Sequence, residues 1–295
     1  MVTVGSILRG TFQFARDHIP AILVWAALVL VTSVLMISMM RPMYEAQLVA
    51  LQTGTNVMPS LAPGAWLTIP LLTILFLALW AAIFRAVLFP AESRFFYLRL
   101  GMDELRLLGL MLLLMLAMIV LEVVGAIAVI IVASLLALLL GKGAGIAIGV
   151  VIGLALFCLF IWAAVRILPA GPLTMLERKI MIGPAWRLSR GRFWPLFGAY
   201  LVIVLILVAL YFVLMLAQMG PIVADMLRPT DPEAARRVAE WHVNQLQLGV
   251  PLVIYGVLSS LIGSLSLTLQ AGMTAVATRD LLASQAPATS EGPWG

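Results

Sequence analysis

The sequence predicts an all-α membrane protein of six transmembrane helices with amphipathic interfacial helices on the cytoplasmic side, and three observations carry that prediction. Hydrophobic residues make up 63% of the chain and charged residues 11%, with a mean hydropathy of +1.13; a soluble domain carries about a quarter charged residues and could not hide so much apolar surface. Six apolar runs each reach the roughly 20 residues that one crossing needs. Lys and Arg divide unequally between the two sides these runs define, as the retention of basic loops in the cytoplasm requires. One membrane domain over residues 1–285 follows, with a disordered cytoplasmic tail at 286–295.

The first twenty residues, MVTVGSILRGTFQFARDHIP, scatter Arg9, Arg16 and Asp17 along an amphipathic stretch with no small-residue cleavage site, so no cleaved signal peptide is expected. The apolar runs then fall at Pro20–Met40, Gly64–Phe89, Leu107–Leu140, Ala144–Leu168, Pro195–Met219 and Gly249–Thr278. The third and last exceed one bilayer thickness, so tilt, a break near Gly125 or protruding cytoplasmic ends must absorb the excess. Before the sixth run, Asp231-Pro232-Glu233 through Trp241 reads as an amphipathic helix outside the membrane, with Asp231 as its N-cap and Pro in its first turn. Cys158 stands alone inside the fourth run, which excludes an intramolecular disulfide and a Cys-based metal cluster and predicts a buried structural thiol.

Orientation follows from charge. Arg9, Arg16, Arg85, Arg94, Arg99, Arg106, Arg166, Arg178, Lys179, Arg187, Arg190, Arg192 and Arg279 share one side with seven acids, a surplus of six positive charges. Arg41, Lys142, Arg228, Arg236 and Arg237 share the other with five acids, and that side is neutral. The first side is therefore cytoplasmic, both termini lie on it, and the expected location is a bacterial inner membrane. Trp66, Trp186, Phe193, Trp194 and Trp241 stand at run ends, where rings anchor at the interface; Trp25, Trp80 and Trp162 lie deeper and are read as packing residues.

The two cytoplasmic loops echo each other. Arg85 leads to Pro90 and Gly101, and Arg166 leads to Pro169 and Gly183, so each run ends in an Arg, is broken by a Pro and passes an amphipathic segment before the next run. The segment around Arg9 and Arg16 is a shorter version. Such units suggest duplicated helical hairpins, parallel rather than inverted because both loops share a side. Phe95, Phe96, Leu98 and Leu100 are then available to the acyl boundary while Arg94, Arg99 and Arg106 reach lipid phosphates, and Arg187, Arg190 and Arg192 beside Trp186 and Trp194 repeat the mixture. Ordinary positive-inside determinants would give the same pattern without a specific lipid.

From Pro172 through Glu177-Arg178-Lys179 to Gly183-Pro-Ala-Trp-Arg-Leu-Ser-Arg-Gly-Arg-Phe-Trp-Pro-Leu-Phe-Gly198, with Ala185, Ser189 and Gly191 before a transmembrane run, the chain resembles a group of bacterial integral membrane proteins. That group, mostly of unknown function, includes the membrane domain found beside glycerophosphoryl diester phosphodiesterases. The resemblance covers about 50 residues and implies a six-helix membrane domain. It implies no phosphodiesterase activity, because such enzymes carry a separate soluble barrel that no segment here could build.

Glu122 is the one acid deep inside a run, roughly 22 Å along its helix from Leu107 at 1.5 Å per residue. A carboxylate there costs about 2.5–3.5 kcal/mol on insertion scales, so it needs neutralisation, a partner or a wet cavity. Proton coupling or substrate binding is one reading, and a hydrogen bond to a neighbouring helix is the other. Ser259, Gly263, Ser266, Gln270, Thr274 and Thr278 form one face of the last run, either a pathway wall facing Glu122 or a close-packing surface. Gly141, Gly145, Gly149 and Gly153 recur every fourth residue and predict close approach to the third run; a homo-oligomeric contact is the alternative.

His18 and His242 have no ligand-spaced neighbours, so neither a metal nor any other cofactor is expected, and no nucleic-acid partner is implied. Catalytic groupings of Ser, His and Asp are missing from the runs. The function expected is a non-enzymatic, lipid-contacting membrane component assisting transport, assembly or envelope homeostasis, with anionic lipid as partner. A carrier or channel using Glu122 is the alternative.

Overall fold

The last apolar run forms the axis of the molecule. In the computed structural model, which describes residues 2–53, 65–91, 94–99, 101–228, 230–245 and 250–285, the helices are α1 (Val4–Asp17), α2 (Ile19–Thr53), α3 (Thr68–Leu88), α4 (Met102–Leu140), α5 (Lys142–Ile167), α6 (Ala170–Glu177), α7 (Ile182–Leu188), α8 (Phe193–Met219), α9 (Val223–Met226), α10 (Pro232–Gln245) and α11 (Val250–Gln285). Among the described residues there is no strand, and six helices (α2, α3, α4, α5, α8 and α11) are long and apolar enough to cross a membrane. The tail at 286–295 lies outside the described residues.

Around α11 stand α1, α2, α3, α6 and α8. Its C-terminal half, rich in Ala, Gly, Ser and Thr, lets those backbones approach, and from Thr268 to Thr278 only Gln270 escapes full burial. The amphipathic α1 buries Ile7, Thr11, Phe14 and Ala15 against this half. A Cβ built on Gly10 would stand 2.8 Å from Val276 Cγ1, and one on Gly272 would stand 3.1 Å from the Phe14 ring, so glycine sets the α1–α11 distance. Thr3 and Ser6 cap α1 reciprocally, Thr3 Oγ1 accepting from the Ser6 N–H at 3.1 Å and Ser6 Oγ from the Thr3 N–H at 3.0 Å.

The polar stripe of α11 is a packing surface. Ser266, Thr274 and Thr278 are buried and donate to carbonyls of their own helix, Ile262 O at 2.7 Å, Ala271 O at 2.8 Å and Thr274 O at 2.7 Å. Ser259 and Gln270 are half-buried. Among the described residues, the hydroxyl bonds that cross from α11 to another helix come from outside the stripe, Ser264 to Ile22 O at 3.0 Å and Tyr255 to Ala217 O at 3.1 Å.

Helices α4 and α5 form an antiparallel hairpin that leaves the bundle. Ala133 and Ala137 of α4 receive Gly145, where a Cβ would meet Ala137 Cβ at 2.5 Å, and Gly149, where it would meet Ala133 Cβ at 3.2 Å. Gly153 meets nothing within 4 Å, and Gly141 is a turn residue with φ +94°. The predicted partnership with the third run is thus carried by two of the four glycines. Helix α4 runs unbroken through Gly125, contrary to the break considered there; its length is absorbed by an end that starts at Met102, ahead of the expected Leu107. Cys158 is exposed on α5, not buried as expected, because the hairpin turns that face away from other helices.

Helix α2 also outruns its predicted end at Met40, since Arg41 pairs with Glu45 one turn later at 2.7 Å and carries the helix to Thr53. This extension meets α10, whose start matches the prediction: Asp231 Oδ1 accepts from the Glu233 N–H at 3.0 Å. Arg237 grips α9 through Asp225 with bonds of 2.7 and 3.0 Å, and the guanidinium holds that carboxyl below the ordinary carboxylate range.

Candidate functional site

Two cavities flank the C-terminal end of α3, and adjacent residues of that helix separate them. Phe84 lines an apolar cavity of about 420 Å³, whose other walls include Phe76, Trp80, Leu110, Met118 and Ala164. Arg85 lines a second, basic cavity of about 400 Å³ with Arg94, Phe95, Tyr97 and Arg99. The first lies where the α4–α5 hairpin parts from α3, α6 and α11, and Thr274 is its one hydroxyl-bearing wall residue. That hydroxyl is already committed to Ala271 O.

The basic cavity is built on a buried cation. Arg85 closes an otherwise apolar run, Ala-Ala-Ile-Phe-Arg-Ala-Val-Leu, and is 1% exposed. A guanidinium so placed must find acceptors within the protein. It donates through Nη2 to Glu104 Oε1 in a close ion pair, and through Nη1 to Tyr97 O at 3.1 Å and Arg99 O at 3.3 Å; Asp103 Oδ2 stands 3.7 Å away. Glu104 also accepts from the Gly101 N–H at 2.8 Å, capping α4 while it neutralises Arg85.

These bonds enforce an unusual loop. Phe95, Phe96 and Tyr97 have φ of 53°, 55° and 64°, three consecutive side-chain-bearing residues in the left-handed region. Each costs about 1–2 kcal/mol, and such strain persists only where surrounding contacts over-determine it. Here Arg85 holds Tyr97 O, Trp25 Nε1 donates to Phe96 O at 3.2 Å, and the Tyr97 ring sits 5.9 Å from that of His18. The predicted interfacial helix at this loop is therefore corrected to a left-handed turn pinned from α2, α3 and the α1–α2 junction. Phe95, at 84% exposure, and Phe96 do point outward as that prediction required; Leu100 lies outside the described residues.

The second loop differs from the first in chemistry. Arg166 lies between the rings of Trp162 and Trp186, 5.2 and 4.6 Å from their centroids, donates to Trp186 O at 3.0 Å, and its own carbonyl accepts from Ser189 Oγ at 2.9 Å. The echo between loops is real in that each run-ending Arg is clasped by the segment that follows it. One clasp uses a carboxylate and the other two indoles. Helix α6 buries Pro172, Leu173, Thr174 and Met175, so it tucks into the bundle where an interfacial helix was expected.

The predicted lipid-facing residues sort unevenly. Arg94, Arg99, Arg187, Arg190 and Trp194 are exposed, and Arg192 is half-buried. Arg106 is bonded to Asp103 at 2.8 Å, and Trp186 turns inward onto Trp162 and Arg166, because each meets a partner that lies closer than lipid. Glu122 is exposed on α4 and neither lines the apolar cavity nor has a hydrogen-bond or ion-pair partner among the described residues. Of the α11 stripe expected to face it, Thr274 reaches the apolar cavity that α4 also lines, and Glu122 is not in that lining.

Sequence reasoning passed over the pairing of Arg85 with Glu104. The available signal was an Arg with apolar neighbours on both sides, followed after the loop by adjacent acids, Asp103 and Glu104. No family model, curated protein or solved structure matches the chain.

Proposed function

We propose that this protein is a non-enzymatic, lipid-binding component of a bacterial inner membrane, with both termini cytoplasmic, that assists transport, assembly or envelope homeostasis. The observation that carries the reading is the apolar cavity between α3, α4, α6 and α11. Its walls are almost wholly hydrocarbon and aromatic, and its volume falls in the range of small-molecule sites. The side-chain polar groups its wall residues carry are the Thr274 hydroxyl, already bonded, and the buried Trp80 Nε1–H, so a hydrophilic solute would find little to replace its water, whereas an acyl chain needs nothing. The lipid reading is favoured over a carrier using Glu122 by the exposure of that residue on α4, outside the lining of this cavity.

The test fills the cavity. Ala164→Trp adds an indole at the cavity wall, while Leu154→Trp adds one at an exposed position of the same helix. Native mass spectrometry of protein purified in mild detergent should show lipid retained by the parent chain and by Leu154→Trp and lost from Ala164→Trp. Equal lipid content in all three would count against the proposal.

A further inference from the structure

We infer that the basic cavity at the α3–α4 loop is a binding site for the phosphate of an anionic phospholipid. This rests on the lipid-binding reading above and concerns a different cavity. Three arginines line it, and they play unequal parts. Arg85 is held through its two terminal nitrogens by Glu104 and two loop carbonyls, and its buried Nε has no hydrogen-bond partner among the described residues, so it serves as the floor that shapes the loop. Arg94 is exposed and has no ion-pair partner among the described residues, and Arg99 keeps 59% of its side chain exposed while standing 3.8 Å from Asp103. Two exposed guanidiniums therefore line one cavity, and a phosphate is the anion whose oxygens suit such forks.

The flanking residues name the source of that phosphate. Phe95, 84% exposed, and Phe96, 44% exposed, are held outward by the left-handed turn beside the arginines. Apolar rings beside cationic side chains are the arrangement that enters the headgroup and acyl boundary. A free phosphate would gain nothing from the rings; a phospholipid brings the acyl chains that cover them. The volume, about 400 Å³, admits a phosphoglycerol group.

The experiment uses the full chain in vesicles of mixed phosphatidylcholine and phosphatidylglycerol, with the retained lipid identified by native mass spectrometry. The parent chain should enrich phosphatidylglycerol, and Arg94→Gln/Arg99→Gln should lower that enrichment about tenfold. Arg94→Lys/Arg99→Lys should keep most of it, and Arg228→Gln/Arg236→Gln, at the other end of the bundle, should leave it intact. An unchanged preference in the double Gln variant would overturn the inference. So would calorimetry in detergent showing that inorganic phosphate or glycerol phosphate binds as tightly as the lipid, which would make the ligand a soluble anion. Ala164→Trp reports on the apolar cavity separately, so the lipid reading and the phosphate site can fail independently.

Discussion

Removing the carboxylate of Glu104 tests the structural premise of the basic cavity most directly. Its side chain is 8% exposed and that of Arg85 is 2% exposed, so Glu104→Ala leaves a guanidinium in the protein interior without its principal counter-charge. Breaking a buried pair by deleting one partner costs about 3–5 kcal/mol. The Gly101 cap bond at 2.8 Å goes with it, adding about 1 kcal/mol. Asp103, 3.7 Å from Arg85, can move in and return part of this, which sets the expectation near 3 kcal/mol. Scaled at about 2–4 °C per kcal/mol, the loss is roughly 6–12 °C in the thermal midpoint, read by calorimetry in detergent. The double variant Arg85→Met/Glu104→Leu should recover most of it, because a packed apolar pair replaces the ion pair. Hydrogen exchange should meanwhile show Tyr97 to Glu104 opening in the single variant. A midpoint unchanged by Glu104→Ala would refute the idea that this carboxylate holds the buried cation.

Three further outcomes follow from the packing and charge. Gly145→Ala should destabilise the α4–α5 hairpin by about 1–3 kcal/mol, since its Cβ would lie 2.5 Å from Ala137 Cβ, while Gly153→Ala, with open space, should be neutral or slightly stabilising in the same unfolding assay. Glu122→Leu should raise stability toward the 2.5–3.5 kcal/mol that a charged residue costs in mid-membrane, measured by unfolding in lipid, and leave lipid retention unaltered; lost retention would return Glu122 to the functional site. Arg237 lowers the Asp225 carboxyl below its ordinary 3.8, so the pair's contribution is complete above that pH and vanishes as pH falls through the lower, folded value. Exchange of α10 amides should accordingly quicken only below pH 3.8, and Arg237→Gln, which removes the pair at every pH, should largely abolish that pH dependence.

Hydropathy and charge made the architecture legible because a bilayer imposes one-dimensional demands: run length, and basic residues at one end. That logic located six helices and the Asp231 cap, but it is silent on which face of an apolar helix meets protein and which meets lipid. Leu107 and Leu110 are buried whereas Leu112, Leu113 and Leu116 are exposed, and no residue type distinguishes them. For the same reason Gly145 and Gly153 read alike although only one is packed. The candidate site was half legible. Arg94 and Arg99 were marked by charge beside Phe95 and Phe96, but the fold of their loop depends on the capture of its carbonyls by Arg85 from 12 and 14 residues away. Local propensity predicts a helix there, and a tertiary bond overrides it.

The bond from Ser264 to Ile22 spans 242 positions of the chain. Helix α11, made after the other described helices, therefore supplies contacts that α1, α2 and α3 await, and until it emerges the inner faces of those helices lack their axial neighbour. Lipid can shelter α2 and α3 in that interval, whereas the amphipathic α1 depends on the membrane surface until α11 arrives. A ribosome halted before residue 250 would leave a nascent product that has crossed the bilayer five times yet lacks the axis of its core. Protease protection of α1 in such stalled chains should appear only once α11 has emerged.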